Sequence, residues 1–349
     1  MLKYFYFPIL SLVVGLVLAG LLSWSESHTP TLMIQSLLTV LLLSVLEISL
    51  SFDNAIVNAT VLKKMTSGWQ KKFMTWGMII AVFGMRLIFP VVIVSVVGDL
   101  SLFDSFRTAF TQPEIYSKLI LAAHLSVSSF GGAFLLMVFL HFFLNEDKTV
   151  HWIKMLEKPI SRVSAFKSIE LLVALVIMLL VHGQLPAAIG NTFLVSYLWG
   201  LIVFLLVHGL NELLEGPRVE KIKWLSTGLG LFIYLEVLDA SFSFDGVIGA
   251  FAISHEIFVI MIGLSVGAFF VRGLTLYLVD HKTLNQFAYI EHGAFYALGL
   301  LAFFMLLDPF FHFPEWVTGL SGGAILALSI FWSIYINRRN RARQNNNHA

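Results

Sequence analysis

The chain has 349 residues, 58% of them hydrophobic and 12% charged, with a mean hydropathy of +0.86. A soluble domain carries roughly 25% charged residues, so the composition excludes a soluble globular protein and points to a polytopic membrane protein. The absence of cysteine removes disulfides, thiolate metal sites and cysteine nucleophiles together. The net charge of +1 is uninformative as a total; what matters is where the charges fall.

At roughly 20 apolar residues per membrane span, ten candidate helices follow in chain order: 5–23, 31–62, 74–98, 118–144, 168–184, 191–214, 225–254, 256–279, 289–307 and 316–336. The first follows Lys3 and reads as an anchor rather than a cleaved signal sequence, because no small-x-small site follows it. Basic residues alternate between the connecting stretches. Lys3, the stretches 63–73, 145–167, 215–224 and 280–288, and the tail hold 18 of the 22 lysines and arginines. Only Arg107 and Lys118 fall in the alternate loops, and Arg86 and Arg272 lie inside spans. By the positive-inside rule both termini are then cytoplasmic. The stretch 145–167 reads as a basic cytoplasmic linker forming a surface helix, and 337–349 as a cytoplasmic tail with a disordered, Asn-rich end.

Two of these spans carry nearly the same text. Glu47-Ile48-Ser49-Leu50-Ser51-Phe52-Asp53-Asn54 matches Asp239-Ala240-Ser241-Phe242-Ser243-Phe244-Asp245-Gly246 at an offset of 192 residues. A carboxylate at the bilayer centre costs about 2.5–3.5 kcal/mol on insertion scales, so acids placed twice in one pattern imply a purpose. The copies lie on spans two and seven and therefore run in opposite directions. The following helices each carry one arginine, Arg86 and Arg272, and the third helices rhyme at Gly131-Gly132-Ala133-Phe134 and His292-Gly293-Ala294-Phe295. The expected architecture is an all-α membrane bundle in one domain over 1–349. It contains an inverted repeat of three-helix units, repeat 1 over 31–144 and repeat 2 over 225–307. Inverted repeats with a polar site at the midplane characterise transporters.

The motif spacing constrains the site. Residues six apart on a regular helix lie about 120° apart around the axis and about 9 Å along it. Glu47 and Asp53 cannot both grip one small ion from an unbroken helix, nor can Asp239 and Asp245. Either each helix supplies one ligand, or the helices break. Asp53-Asn54 and Asp245-Gly246 are turn-prone, and unwound carbonyls are tolerated in a membrane only where they line a cavity. Broken helices are therefore expected at both motifs. The metal ligands are Glu47, Asp53, Asn54, Asp239 and Asp245, a hard oxygen set suited to Mg²⁺, Ca²⁺ or Mn²⁺. His124 and His292 read first as hydrogen-bonded core residues, and would tilt the choice towards Mn²⁺ if they contributed nitrogen. Arg86 and Arg272 are expected to neutralise the carboxylates without metal. Glu236 is a candidate proton carrier or further ligand, or equally a partner for Arg272 or Arg86, and Ser51 and Ser243 are candidate donors to the acids. Nothing indicates a prosthetic cofactor, a nucleic-acid partner or an enzyme: Gly-x-Gly-Asp and His-Glu-x-x-His elements are missing.

The motif Glu47-x-x-Leu50-Ser51-x-Asp53-Asn54 resembles that of the TerC family of integral membrane proteins, and Asp239-x-x-Phe242-Ser243-x-Asp245 its second acidic motif. The Gly131-Gly132 pair and Arg272-Gly273-Leu274 are similar to its remaining patterns, over roughly residues 33–307. The family is linked with tellurium-resistance operons, and several members are regarded as Mn²⁺ exporters. The chain looks most like a longer subgroup without an assigned function, and departs from the pattern at Glu236 and Gly246. The resemblance implies a divalent-metal exporter of the bacterial plasma membrane, with Mn²⁺ as favoured cargo and proton coupling an option. A Ca²⁺ or Na⁺/H⁺ transporter, and a non-transporting scaffold in a stress-response complex, stay open as alternatives.

Overall fold

The computed structural model describes residues 2–144, 150–153, 155, 157, 168–215, 228–281, 287–311 and 313–347. Among them every regular element is helical. The helices are α1 Leu2–Ser27, α2 Pro30–Leu50, α3 Phe52–Leu62, α4 Ser67–Lys72, α5 Phe89–Val97, α6 Leu102–Thr111, α7 Pro113–Ala122, α8 His124–Leu144, α9 Ile169–His182, α10 Ala187–Glu215, α11 Leu229–Ile253, α12 Ile257–Asp280, α13 Ile290–Leu307 and α14 Glu315–Asn347. Between α4 and α5 the chain is wound as π-helix at Phe73–Gly77 and Ile80–Ile88, within one continuous span, Ser67–Val97.

Among the described residues, eight helical stretches are long and apolar enough to cross a membrane: Lys3–Ser25, Pro30–Leu50, Ser67–Val97, His124–Leu144, Ala187–Leu210, Ile257–Asp280, Ile290–Leu307 and Val317–Arg339. With α11, whose 25 residues carry Glu236, Asp239 and Asp245, and with α9, each of the ten expected spans holds a helix. The expectation for 168–184 is trimmed. α9 has 14 residues, about 21 Å at 1.5 Å per residue, which is short of a core roughly 30 Å thick. The tail also differs from expectation. α14 continues to Asn347, because Arg338–Arg343 are good helix formers and no Gly or Pro stops them. Most of the expected linker helix over 145–167 lies outside the described residues.

The packing is reciprocal between the two repeat units. The motif helix of the first, α2, lies against α12, the second helix of the other unit, and α11 lies against the π-wound span. The third helices, α8 and α13, pack on each other. Small residues allow the close approaches: Gly131 and Gly132 face Met305 and Leu306 of α13, whereas Gly293 faces Ser329 of α14, so the third-helix rhyme is only partial. The largest apolar core gathers around α3, α8, α10, α11 and α13, with Phe134, Tyr197 and Leu298 fully enclosed. Leu38, Leu42 and Val45 of α2 and Val13, Val17 and Leu21 of α1 stay exposed, as a lipid-facing surface requires.

Candidate cation site

The two motif helices do not break in the same way. α2 ends at Leu50, and α3 restarts at Phe52 after Ser51, whose φ of −103° and ψ of 15° are not helical. The interruption falls two residues before Asp53-Asn54. α11 runs unbroken from Leu229 to Ile253 through Asp245 and Gly246, so the expected break there does not occur. Gly246 has another use. A Cβ at this position would lie 2.8 Å from Glu47 Oε2, and one at Gly267 of α12 would lie 2.5 Å from Glu47 Cβ. Two glycines, one on each of two helices, make the slot that the Glu47 side chain enters. Gly267 closes a Gly263-x-x-x-Gly267 stretch that brings α12 onto α2, the small-xxx-small pattern of membrane helix pairs. Ser44 Oγ donates across this seam to the Gly263 carbonyl at 3.0 Å.

Glu47 and Asp239, equivalent under the repeat, reach the same small buried cavity of about 30 Å³. Ser51, Asn54 and Asn58 line it from the first unit, Ser243 and Thr275 from the second, with Arg86 and Arg272. Each acid has its own unit's arginine. Arg86 Nη2 donates to Glu47 Oε1 at 2.5 Å, and Ser51 Oγ donates to the same oxygen at 3.3 Å. Arg86 Nη1 also donates to the Ala81 carbonyl, which anchors the guanidinium within the π-helical turn. Arg272 Nη2 lies 3.7 Å from Asp239 Oδ2, with its guanidinium 3.8 Å above the centre of the Phe73 ring. Asn54 and Asn58 both donate to Asp239 Oδ1, at 2.9 and 2.7 Å, and so tie α3 to α11.

The cavity holds unpartnered polar atoms of both kinds. Among its lining residues Asn54 Oδ1, Asn58 Oδ1 and Ser243 Oγ, and with them Arg86 Nε and Arg272 Nη1 and Nη2, are buried without a hydrogen-bond partner among the described residues; so are both oxygens of Glu236, which lies outside the cavity lining. Buried polar atoms are normally satisfied. The lining oxygens are what a small cation or a water would satisfy, and the volume admits an object of that size. Glu236 stands beside Arg272: a Cβ at Gly77 would lie 2.5 Å from Glu236 Oε1 and 2.9 Å from Arg272 Nη2. Arg272 therefore sits between two acids of α11.

Other expected ligands lie elsewhere. Asp53 is buried but does not line the cavity. It opens α3, where Oδ1 accepts from the Asn54 amide at 3.0 Å, and Oδ2 faces Gly322 of α14. A carboxylate in the first helical turn complements the free amides there, so Asp53 serves the helix break. His124 pairs with Asp308 at 3.1 Å, and His292 Nε2 donates to the Val150 carbonyl at 2.8 Å; neither reaches the acid pair. The Asp245 side chain lies outside the described residues. Among those described, no three His, Asp or Glu side chains converge as a metal cluster. The sequence reading missed Asn58 and Thr275. Asn58 was detectable, because an amide four residues from Asn54 shares its helix face.

Larger chambers lie at the two ends. One of about 910 Å³ is bounded by the starts of α8 and α14 and the ends of α11 and α13. Another, about 300 Å³, is bounded by Thr60, Lys64, His141, His208, Tyr234 and Phe295, and a third, apolar one of about 360 Å³ lies between them beside Glu236 and Phe130.

A family model described as "Protein of unknown function (DUF475)" matches residues 52–340. The chain belongs to the DUF475 family. The DUF475 match includes Arg86, Asp239 and Arg272 but begins just after Glu47 and Ser51. A relative, the uncharacterized membrane protein YceF of Bacillus subtilis (strain 168), is 27% identical over 135 residues, which are 37% of this chain and 51% of YceF. The chain thus spans about half the length of that relative. No solved structure matches. With its apolar helices, the DUF475 chain is an integral, multi-pass membrane protein.

Proposed function

We propose that this chain is a divalent-cation exporter of the bacterial plasma membrane, with Mn²⁺ as its preferred cargo and both termini cytoplasmic. The observation that carries the reading is the meeting of Glu47 and Asp239, from equivalent points of two units, at one small cavity that also holds unpartnered Asn54, Asn58 and Ser243 oxygens. Each helix supplies one acid, the first of the two arrangements that the motif spacing allows. Carboxylate, amide and hydroxyl oxygens form a hard set; the TerC resemblance narrows it to Mn²⁺ and supplies the outward direction.

The arginines hold the empty site. A buried carboxylate without a counter-charge is costly, and Arg86 and Arg272 supply it. An arriving cation replaces the guanidinium charge at Glu47 and Asp239, and Arg272 turns to Glu236. The two positive charges of a divalent cation match those of the two guanidiniums it displaces, so Glu47 and Asp239 are compensated in both states. The chambers at opposite ends fit alternating access. The work is binding and release, with no bond made or broken, so no enzymatic role is assigned.

The test is the Mn²⁺ content of cells with and without the protein, beside Glu47→Gln and Asp239→Asn. Lower Mn²⁺ with the wild type, lost in both variants, is expected. Equal Mn²⁺ in all strains refutes the reading, and a phenotype that survives both substitutions favours the scaffold.

A further inference from the structure

We propose that His124 and Asp308 form a second divalent-cation site, in the wall of the larger chamber, which holds the ion between the Glu47–Asp239 cavity and the outside. The proposal rests on the transport reading and adds a station to its path. His124 Nδ1 lies 3.1 Å from Asp308 Oδ2, and the side chains are 25% and 15% exposed. Both line the chamber of about 910 Å³, and Ser128, one helical turn beyond His124, lines it too.

The position suits a waiting point. The helix ends around the chamber are the starts of α8 and α14 and the ends of α11 and α13. The alternation of basic loops assigns every one of these ends to the outer side of the membrane. The inner limit includes Leu46 and Ile248. Leu46 precedes Glu47, and Ile248 is two residues beyond Gly246, against which the Glu47 carboxylate rests. The chamber's inner limit therefore lies on the same stretches of α2 and α11 that carry Glu47 and its Gly246 slot.

The chemistry differs from that of the inner site. Neighbouring nitrogen and oxygen ligands on a first-row divalent ion, with bonds of about 2.0–2.2 Å, sit about 3 Å apart, close to the spacing already present. One imidazole and one carboxylate favour Mn²⁺, Fe²⁺ or Zn²⁺ over Ca²⁺ or Mg²⁺. Two protein ligands leave most of the coordination to water, so the ion is held weakly and leaves readily. A paired imidazole and acid on facing helices would thus filter ions by nitrogen affinity after the hard inner site has admitted them.

The experiment is Mn²⁺ titration of the full-length chain in lipid nanodiscs, with free Mn²⁺ read by electron paramagnetic resonance. Two classes of site are expected. His124→Ala or Asp308→Asn removes the weaker class and leaves the tighter one; Glu47→Gln does the reverse. If both classes survive in the His124 and Asp308 variants and only their melting temperature falls, the pair is a structural tie between α8 and α13, and the proposal is wrong. If Glu47→Gln leaves the tighter class untouched, the transport reading fails, whatever happens at His124. A measurement on the unaltered protein covers misfolded variants. Carbethoxylation of His124, followed by peptide mass spectrometry, should slow when Mn²⁺ is added; an unchanged rate overturns the proposal.

Discussion

Replacing Gly267 by alanine tests the slot that holds Glu47. The new Cβ would lie 2.5 Å from Glu47 Cβ, 2.6 Å from its Cγ and 2.9 Å from the Ser44 carbonyl oxygen. Carbon atoms pack at about 3.5–4.0 Å, so α12 must retreat from α2 by about 1 Å. No rotamer change relieves the clash, because the obstruction is the base of a side chain and a backbone oxygen. Overpacking of this kind costs about 1–3 kcal/mol, offset by about 1 kcal/mol from replacing glycine within a helix. Moving Glu47 also weakens its bond to Arg86, a charged hydrogen bond worth about 1.5–3 kcal/mol. A net loss of about 2 kcal/mol is expected. Gly209→Ala is the control: it lies in α10 with nothing within 4 Å of its Cβ position, so it should be neutral or gain up to about 1 kcal/mol. Thermal unfolding in nanodiscs, followed by tryptophan fluorescence, compares the two. Gly267→Ala should melt a few degrees below the wild type, and it should also bind Mn²⁺ more weakly. If Gly267→Ala behaves like Gly209→Ala in both measurements, the slot has no energetic meaning.

Glu47→Gln and Arg86→Gln should each destabilise by about 3–5 kcal/mol, as half of a buried pair does when its partner is lost. The double variant should lose less than the sum in a denaturation cycle; strict additivity would show that the pair is uncoupled. Asn58→Leu removes the 2.7 Å bond to Asp239, worth about 1.5–3 kcal/mol. It should weaken both stability and Mn²⁺ affinity, and unaltered affinity would remove Asn58 from the site. Carboxylate ligands bind metal only when deprotonated, so Mn²⁺ affinity should fall as pH is lowered; titrations between pH 8 and pH 5, at about half-unit steps, read the sign directly. The native chain lacks cysteine, so single cysteines report topology without a background. A cysteine at Thr111 should react with an impermeant maleimide on intact cells, and one at Lys64 only after permeabilisation. The opposite pattern would reverse the orientation.

Much of the fold was legible because its signals are additive. Apolar length and loop charge accumulate over 20 residues or more, so one misplaced boundary does not disturb the rest: among the described residues 168–184 holds a helix of 14 residues and 31–62 divides at Ser51, yet the remaining spans keep their places. The equivalence of Glu47 and Asp239 was legible through the 192-residue offset, but the i, i+6 geometry left two arrangements open, and the turn-prone Asp53-Asn54 and Asp245-Gly246 pointed to the broken-helix one. What escaped depends on single contacts across helices. Gly246 has one identity but two explanations, a turn or a close approach, and the choice depends on Glu47, 199 positions away. Asp53 looked like a ligand because its motif is repeated, yet the break at Ser51 gives it a helix start to serve. The distant roles of His124 and His292 depend on Asp308 and Val150, which no local pattern connects to them.

The unequal winding of the two motif helices assigns them different mechanical duties. At Ser51 the dihedral angles leave the helical range although the Ser51 N–H still bonds to the Glu47 carbonyl, and in the following span the backbone hydrogen bonds are shifted to the π pattern, so small rotations there break few of them. α11 has no such reserve: bending it would expose amides and carbonyls to an apolar medium, at several kcal/mol for each group. In the exchange between inward- and outward-facing forms that the proposed function calls for, α11 would keep its own shape and move, if at all, as one body with Asp239. The first unit, which carries Glu47 and Arg86, is where the backbone has room to bend.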